Sequence, residues 1–358
     1  MPFVNALEPA TLLCCFAAFP PHGFRLLPTP SGAPAFETRF DLTTTADAKL
    51  QKRLRSLPGR QVWGRLLCAG TTFVGSTVSE YAWLPCQQAP DVLAAEVMQT
   101  YATARPFLIV KDLPVDSPLL DAAANTWNAA FARALVAHGF VLVEGQALAW
   151  VPIDFADEDA YLARLSRGAR RDIRRKLRSR GDIQVEIART GSAAFADKAL
   201  VARMLDLYDQ VYAQSEIHFD RLSDAFLRVL LCDADSHGVV FLYRHAGRLI
   251  GWNLCYIHAG NLVDKYVGFA YPEARRHNLY ALSWMHNLDF ARRNGLGKYI
   301  AGWTDPAVKA HLGARFTFTR HAVRPRSRLL RFALRRMAGH FESDRHWYEE
   351  HVDASGGA

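Results

Sequence analysis

Val239-Val-Phe-Leu-Tyr-Arg-His-Ala-Gly-Arg248, Leu249-Ile-Gly-Trp-Asn-Leu-Cys-Tyr-Ile-His-Ala-Gly260 and Asn261-Leu-Val-Asp-Lys-Tyr-Val-Gly-Phe269 follow one another without interruption. All three are rich in β-branched and aromatic residues. The links between them, His245-Ala-Gly-Arg248 and His258-Ala-Gly-Asn261, are short and contain glycine. Runs of this kind read as strands at 239–244, 249–257 and 261–269 joined by tight turns, an antiparallel meander.

Downstream of the meander, Pro272 interrupts the pattern. A helix is predicted from about Asn278 to Asn294, ended by Gly295 and Gly297, and Lys298–Trp303 reads as the next strand. Thr304 or Asp305 then caps a short helix with Pro306 at its first position, which stops at Gly313 before a last strand, Arg315–Val323. Upstream, helices are predicted at 199–212 and 223–231, on either side of the polar stretch Ala213–Asp220. The order is α-α-β-β-β-α-β-α-β, an α/β (α+β) arrangement of a mixed central sheet flanked by helices.

Before these elements, Asp157–Arg180 reads as one helix. Leu162, Leu165, Ala169, Ile173 and Leu177 recur at helical spacing, and Arg167, Arg171, Arg174 and Arg178 form a second stripe. The first half is less regular. Pro20, Pro21, Pro28, Pro30 and Pro34 break up the first forty residues, and Pro106, Pro114 and Pro118 mark loops. Phe131-Ala-Arg-Ala-Leu-Val-Ala-His-Gly139 with the strand Phe140–Val143 echoes Phe290-Ala-Arg-Arg-Asn-Gly295 with Lys298–Gly302, which points to a tandem duplication. The boundaries read from this pattern are an N-terminal domain at 1–156, a basic connecting helix at 157–181, a C-terminal catalytic domain at 182–324, and a basic helix and tail at 325–358.

Half of the 358 residues are hydrophobic, enough for two domain cores. Cys14, Cys15, Cys68, Cys86, Cys232 and Cys255 include no C-x-x-C pair, and no histidine cluster has metal-ligand spacing, so neither a structural zinc nor a disulfide framework is expected. Cys255 lies in an apolar strand without a nearby base and is expected to pack as a small hydrophobe. No apolar run has transmembrane length, and Thr11–Phe19 lacks the basic leader of a signal peptide, so a cytoplasmic protein is expected.

Charge is distributed unevenly. Nine Lys/Arg against Asp172 alone give +8 between Arg164 and Arg180, and eight Arg without an acid give another +8 between Arg315 and Arg336. With +8 for the whole chain, the remainder carries −8. Two basic segments on an acidic body suggest a polyanionic partner such as tRNA, an acidic carrier protein, a nucleotide or a membrane surface.

Several stretches over roughly Tyr161–Arg324 carry a family resemblance: the Arg-rich helix to Gly181, Asp264-Lys-Tyr-Val-Gly-Phe269, Asn278-Leu-Tyr280 opening a helix, and Thr304-Asp-Pro-Ala-Val-Lys309-Ala-His-Leu-Gly313. In that order and spacing they resemble the GNAT-like N-acyltransferases, in particular the Fem-related bacterial branch with tandem GNAT-like units. The resemblance implies acyl transfer without a permanently bound cofactor or metal. Acetyl-coenzyme A enzymes of this superfamily hold pyrophosphate in an Arg/Gln-x-x-Gly-x-Gly/Ala loop, whose amides face the phosphates. Here the corresponding stretch is Arg275-Arg-His-Asn-Leu-Tyr280, without glycine. Either the pantetheine arm arrives differently, as on an acyl carrier protein, or the donor is aminoacyl-tRNA, as the Fem resemblance implies.

Acyl transfer to an amine requires a neutral amine, a line of attack on the carbonyl and a donor to the oxyanion. By the Fem-like pattern Lys309 lies near the reacting carbonyl, and Lys309→Ala is expected to slow turnover with little effect on folding. Asp264 and Tyr266 are predicted to share one strand face with Lys265 on the other; Asp264 is either a base or amine anchor, or the partner of an arginine elsewhere. Asn278, with Arg275 and Arg276 before it, marks the donor-binding end of its helix, and Tyr280 is a candidate acid for a leaving thiolate. Tyr212, Glu216 and His218, in and beside the loop that borders the acceptor pocket in this fold, and Lys265, Trp303 and Asp305 are expected to contact substrate. The expected reaction is direct transfer from a thioester of coenzyme A or acyl carrier protein to the amine of a small metabolite. The alternative is a Fem-type aminoacyl-tRNA-dependent transferase, although no heptad run for an inserted coiled-coil arm is present. A nucleic-acid-binding module lacks helix-turn-helix, zinc-finger or aromatic RNA-binding signatures.

Overall fold

Tight two-residue hairpins require positive φ at both central residues. Ala246 and Gly247 supply φ of 47° and 76°, and Ala259 and Gly260 supply 46° and 73°. The meander therefore closes as three antiparallel strands, in a computed structural model that describes residues 3–41, 68–215, 219–338 and 343–351.

The described strands are β1 (Phe3–Val4), β2 (Arg25–Leu26), β3 (Ala35–Asp41), β4 (Cys68–Val74), β5 (Leu84–Pro85), β6 (Phe107–Val115) and β7 (Val141–Pro152). They continue with β8 (Gln184–Arg189), β9 (Gly238–His245), β10 (Arg248–His258), β11 (Asn261–Phe269), β12 (Lys298–Gly302) and β13 (Arg315–Pro325). The helices are α1 (Thr11–Ala18), α2 (Pro90–Tyr101), α3 (Ala122–Ala137), α4 (Glu158–Ala163), α5 (Arg167–Lys176) and α6 (Lys198–Gln214). After these come α7 (Asp224–Cys232), α8 (Glu273–Arg276), α9 (Leu279–Arg293), α10 (Pro306–His311), α11 (Arg328–Met337) and α12 (Ser343–His351). No helix among the described residues is long and apolar enough to cross a membrane.

The chain forms two compact units. Unit 1 comprises 1–7, 20–148 and 317–358, and unit 2 comprises 8–19 and 149–316, so the chain passes between them inside β7 and again inside β13. In unit 1 the strand order is β2-β3-β4-β6-β13-β7. Its core packs Leu93, Val97 and Tyr101 of α2 with Phe131 and Leu135 of α3 and with Leu108 and Val110 of β6. In unit 2 the order is β7-β12-β11-β10-β9-β8, and Trp252, Tyr243, Tyr256, Tyr299 and Phe226 are among its fully buried side chains.

Both units share one plan. In unit 1 the antiparallel pair β3–β4 leads through α2 to β6, which runs parallel to β4. In unit 2 the antiparallel β10–β11 leads through α9 to β12, which runs parallel to β11. The topological counterpart of α9 is therefore α2. The sequence echo had instead paired the end of α9 with the end of α3, for a local reason: Gly139 and Gly295 both have positive φ, and Phe140 N–H→Leu135 O and Leu296 N–H→Ala291 O close the same helix-ending motif.

The helix expected over 157–180 is interrupted. Asp157 caps α4 by accepting from the Ala160 amide, and Ser166 caps α5 by accepting from the Ala169 amide, so a second helix starts within the apolar stripe. A 3₁₀ segment, Leu177–Asp182, follows. The Tyr161 hydroxyl donates to the Leu312 carbonyl, tying α4 to the end of α10. Gly313 has φ of 95°, and a Cβ there would lie 2.5 Å from Leu165 Cδ2 and 2.7 Å from the Tyr161 oxygen. Gly313→Ala is expected to destabilise the protein by about 1–3 kcal/mol through strain and overpacking. An unchanged unfolding midpoint in chemical denaturation would contradict this account of the α4–α10 contact.

Candidate active site

The parallel strands β11 and β12 pair only at Asn261/Lys298, Leu262/Tyr299 and Val263/Ile300. From Asp264 onward β11 keeps its ladder to β10 and has none to β12. On the β10 side the register jumps, with Leu254 opposite Tyr266 and Cys255 opposite Asp264, so Lys265 is an inserted bulge residue. Because neighbouring residues of β10 face opposite ways, Asp264 and Tyr266 do too. This corrects the shared face expected from simple alternation: one extra residue reverses the phase.

Asp264 sits on the side of the sheet covered by α9. Its Oδ1 accepts from Asn253 Nδ2 at 2.5 Å, and its Oδ2 accepts from the Tyr299 hydroxyl at 2.7 Å and from Asn287 Nδ2 at 3.3 Å. Asn287 Nδ2 also donates to Asn253 Oδ1 at 2.8 Å, and the Cys255 thiol donates to the same oxygen at 3.3 Å. These partners of the carboxylate are amides and a phenol. Asn253, Asn287 and Tyr299 were not singled out in the sequence. The available signal was an asparagine in the middle of an apolar strand and another within an apolar helix, since buried polar side chains need partners. Burial, with Asp264 as the second cause, holds the Cys255 thiol well above its ordinary pKa, as suits a packed thiol rather than a nucleophile.

Tyr280, in the first turn of α9, points its phenol toward the same region. Burial pushes its pKa well up, and the Asp305 and Asp264 carboxylates push it further, so the phenol stays protonated across the neutral range. Its hydroxyl makes no hydrogen bond to any described residue. Asn278 precedes the helix with φ of 54° and no side-chain cap, so the first amides of α9 are uncapped. The stretch where a phosphate loop would lie is instead the helical turn α8. Ala274 N–H donates to Ala270 O, Arg275 and Arg276 N–H to Pro272 O, His277 N–H to Glu273 O, and Asn278 N–H to Arg275 O. Arg275 donates to Gln214 of α6 at 2.7 Å and stacks on the Tyr271 ring, and Arg276 is exposed. Tyr212, half-buried against Tyr208, lies on α6 two residues before Gln214. Glu216 and His218 lie outside the described residues.

Lys309 is 4% exposed. Its ammonium donates to Ala301 O at 2.8 Å, to Gly302 O at 2.9 Å and to Trp303 O. The turn it gathers has φ of 75° at Gly302, 67° at Thr304 and 48° at Asp305. Trp303 is half-buried and Asp305 exposed. A Cβ on Gly302 would come within 3.8 Å of the Asp264 carbonyl, so this turn lies beside the parting of the strands. Lys265 is elsewhere: its ammonium meets Glu8 at 3.2 Å in a buried ion pair. Tyr266 packs edge-on against Phe226 of α7.

The basic segment borders this region. Ser179 of the 3₁₀ turn donates to His277 O, and His311 of α10 meets Asp172 of α5 at 3.0 Å. Lys176, then Arg175 and His311, hold the Asp172 carboxyl far below its ordinary value. Arg164, Arg174 and Arg180 pair with Asp154, Asp159 and Glu158. Arg167, Arg170, Arg171 and Arg178 form no ion pair with a described residue. A separate groove of about 980 Å³ in unit 1, between α3 and the end of β6, contains none of the candidate residues. No cluster of three or more His, Cys, Asp or Glu among the described residues is placed to hold a metal.

Residues 166–310, within unit 2, match the family described as Acetyltransferase (GNAT) domain. No curated protein matches the sequence. Among solved structures, the C-terminal domain of a protein described as a lysylphosphatidylglycerol synthetase, from Agrobacterium fabrum, aligns with a TM-score of 0.56 at 12% identity over 95% of this chain and 94% of that one. FemX aligns at 0.52 and 12% over 89% and 92%, and L-PGS from Bacillus licheniformis at 0.51 and 9% over 93% and 97%. Residues 166–310 thus carry an acetyltransferase (GNAT) domain. The alignments with FemX and the two synthetase structures show that this fold is shared over most of the chain.

The environment of Lys309 makes its role in folding testable. Lys309→Met would leave three carbonyls at the end of β12 without their donor, and a loss on the order of 3 kcal/mol is expected, with Tm several degrees lower. Wild-type Tm would mean that other groups or water satisfy those carbonyls.

Proposed function

We propose that the protein transfers an acyl group from a thioester to the amine of a small metabolite, and that the donor arrives on an anionic acyl carrier protein rather than as free coenzyme A. The observation that carries this reading is the exchange of one anion site for another. The amides from Ala274 to Asn278 are consumed by the α8 turn, whereas Arg167, Arg170, Arg171 and Arg178 carry charge without an ion-pair partner among the described residues. A compact pyrophosphate is held by a nest of amides, and a carrier is attracted by distributed surface charge.

In this reading the donor carbonyl lies where β11 parts from β12, with the first amides of α9 as donors to its oxygen. The amine, once neutral, attacks the carbonyl carbon; a carbon–nitrogen bond forms, the carbon–sulfur bond breaks, and the leaving sulfur takes up the proton that the amine gives up. Tyr280 is the hydrogen-bond donor to the leaving group. Lys309 fixes the turn that carries Trp303 and Asp305 and adds positive potential at the end of β12. Asp264 holds the hydrogen-bonded network near Tyr280, whose phenol is kept protonated first by burial and then by the Asp305 and Asp264 carboxylates. Tyr212 borders the acceptor side.

One observation favours a second reading, transfer from the ester of an aminoacyl-tRNA. A phenol with a strongly raised pKa is a poor acid toward a thiolate but suits the more basic alkoxide that an ester releases. Intact-mass analysis of products from acyl-coenzyme A, acyl carrier protein and charged tRNA, each offered with a panel of amines, decides between the readings.

Tyr280→Phe should lower turnover by about 10²-fold or more while leaving Tm near wild type, because the hydroxyl bonds to no described residue. Wild-type turnover in this variant would remove Tyr280 from the reaction. Replacing Arg167, Arg170, Arg171 and Arg178 with Gln should raise the donor KM and flatten the salt dependence of kcat/KM, with kcat at saturating donor little changed. Unaltered donor KM and salt dependence would rule out docking on this helix.

A further inference from the structure

The eight arginines of the second basic segment play no part in the site. Six of them, Arg324, Arg326, Arg328, Arg331, Arg335 and Arg336, lie in or just before α11, and none forms an ion pair with a described residue. Ser327 caps the helix through the Leu330 amide. Leu330, Ala333, Leu334 and Met337 recur at i, i+3, i+4 and i+7, and Arg328, Arg331 and Arg335 form the opposite stripe.

A surface helix normally turns its apolar stripe inward. Here it does so only in part, with Leu334 half-buried. No α11 residue is buried, and Leu329, Phe332, Leu330 and Met337 are 82%, 61%, 51% and 38% exposed. Four of the nine large hydrophobic side chains exposed among the described residues therefore fall on ten consecutive positions. Arg331, in contrast, is half-buried, with Nη1 3.1 Å from the place a Cβ on Gly139 would take. Arg336 lies over the Phe332 ring at 5.8 Å, at the border of the two stripes.

We propose that α11 is an interfacial helix that docks the protein on an anionic lipid surface. The apolar ridge enters the acyl boundary, while Arg328, Arg335 and Arg336 reach back to headgroup phosphates. Charge complementarity selects this occupant. Six arginines without a neighbouring acid call for an anionic surface, and a second copy of the chain would bring like charges together. Arg331 also disfavours the charge of Arg324, which burial already disfavours, a repulsion that an adjacent phosphate relieves.

Vesicle flotation with the full-length protein tests the proposal and requires no turnover. The wild type should float with vesicles of equimolar phosphatidylcholine and phosphatidylserine, far less with phosphatidylcholine alone, and less at high salt. Leu329→Ser combined with Phe332→Ser should lower partitioning at least about tenfold, since two large apolar side chains no longer enter the bilayer. Both side chains lie mostly in solvent, so Tm should remain that of the wild type. Absence of wild-type flotation on the anionic vesicles, or equal flotation of the double variant, overturns the proposal. So does a wild-type dimer that the double variant converts to monomer without any vesicle binding, which would assign the ridge to a second copy.

Discussion

Two parallel strands that pair for three residues and then part are the constraint on which unit 2 depends. While paired, β11 and β12 satisfy each other's backbone groups; once parted, those groups need other partners. The Lys309 ammonium answers this on the β12 side by gathering three successive carbonyls. On the β11 side the bulge at Lys265 turns Asp264 toward α9 and Tyr266 toward α7. The opening is thus held by one buried charge and one extra residue, with the uncapped start of α9 beside it.

The polar groups under α9 form a connected set. Asp264, Asn253, Asn287 and Tyr299 exchange hydrogen bonds in an otherwise apolar layer, and burying such groups is tolerable because they satisfy one another. Tyr280 lies next to this set without bonding to it. Its phenol therefore combines two properties that seldom coincide: a protonation state fixed by burial and nearby carboxylates, and a hydroxyl still available to a ligand.

The two basic segments share a net charge and differ in every structural respect. Between Arg164 and Arg180, acids pair with five of the nine cations and an apolar stripe faces inward, leaving four arginines as a directed surface. Around α11 no acid intervenes, no residue of the helix is buried, and Leu329, Leu330, Phe332 and Met337 are exposed. The first arrangement suits a folded anionic macromolecule met at distributed points; the second suits an apolar medium with charge at its boundary.

Much of the fold was legible in local chemistry. The turns at Ala246-Gly247 and Ala259-Gly260, the caps at Asp157, Ser223 and Asp197, and the stop at Gly295 are decided within a few residues. Asn278-Leu-Tyr280 and the stretch from Thr304 to Gly313 could be picked out as candidate site segments, because caps, turns and family motifs are contiguous. What no contiguous pattern encodes is register and partnership. The bulge that reverses Asp264 against Tyr266 depends on the hydrogen-bond phase of β10, and the pairing of Lys265 with Glu8 spans most of the chain. The three carbonyls on Lys309 converge only because β12 ends in a left-handed turn. How far an amphipathic helix is covered is likewise invisible in its own sequence: Ala169 and Ile173 of α5 are buried whereas no residue of α11 is, and only the surface each helix packs against decides this.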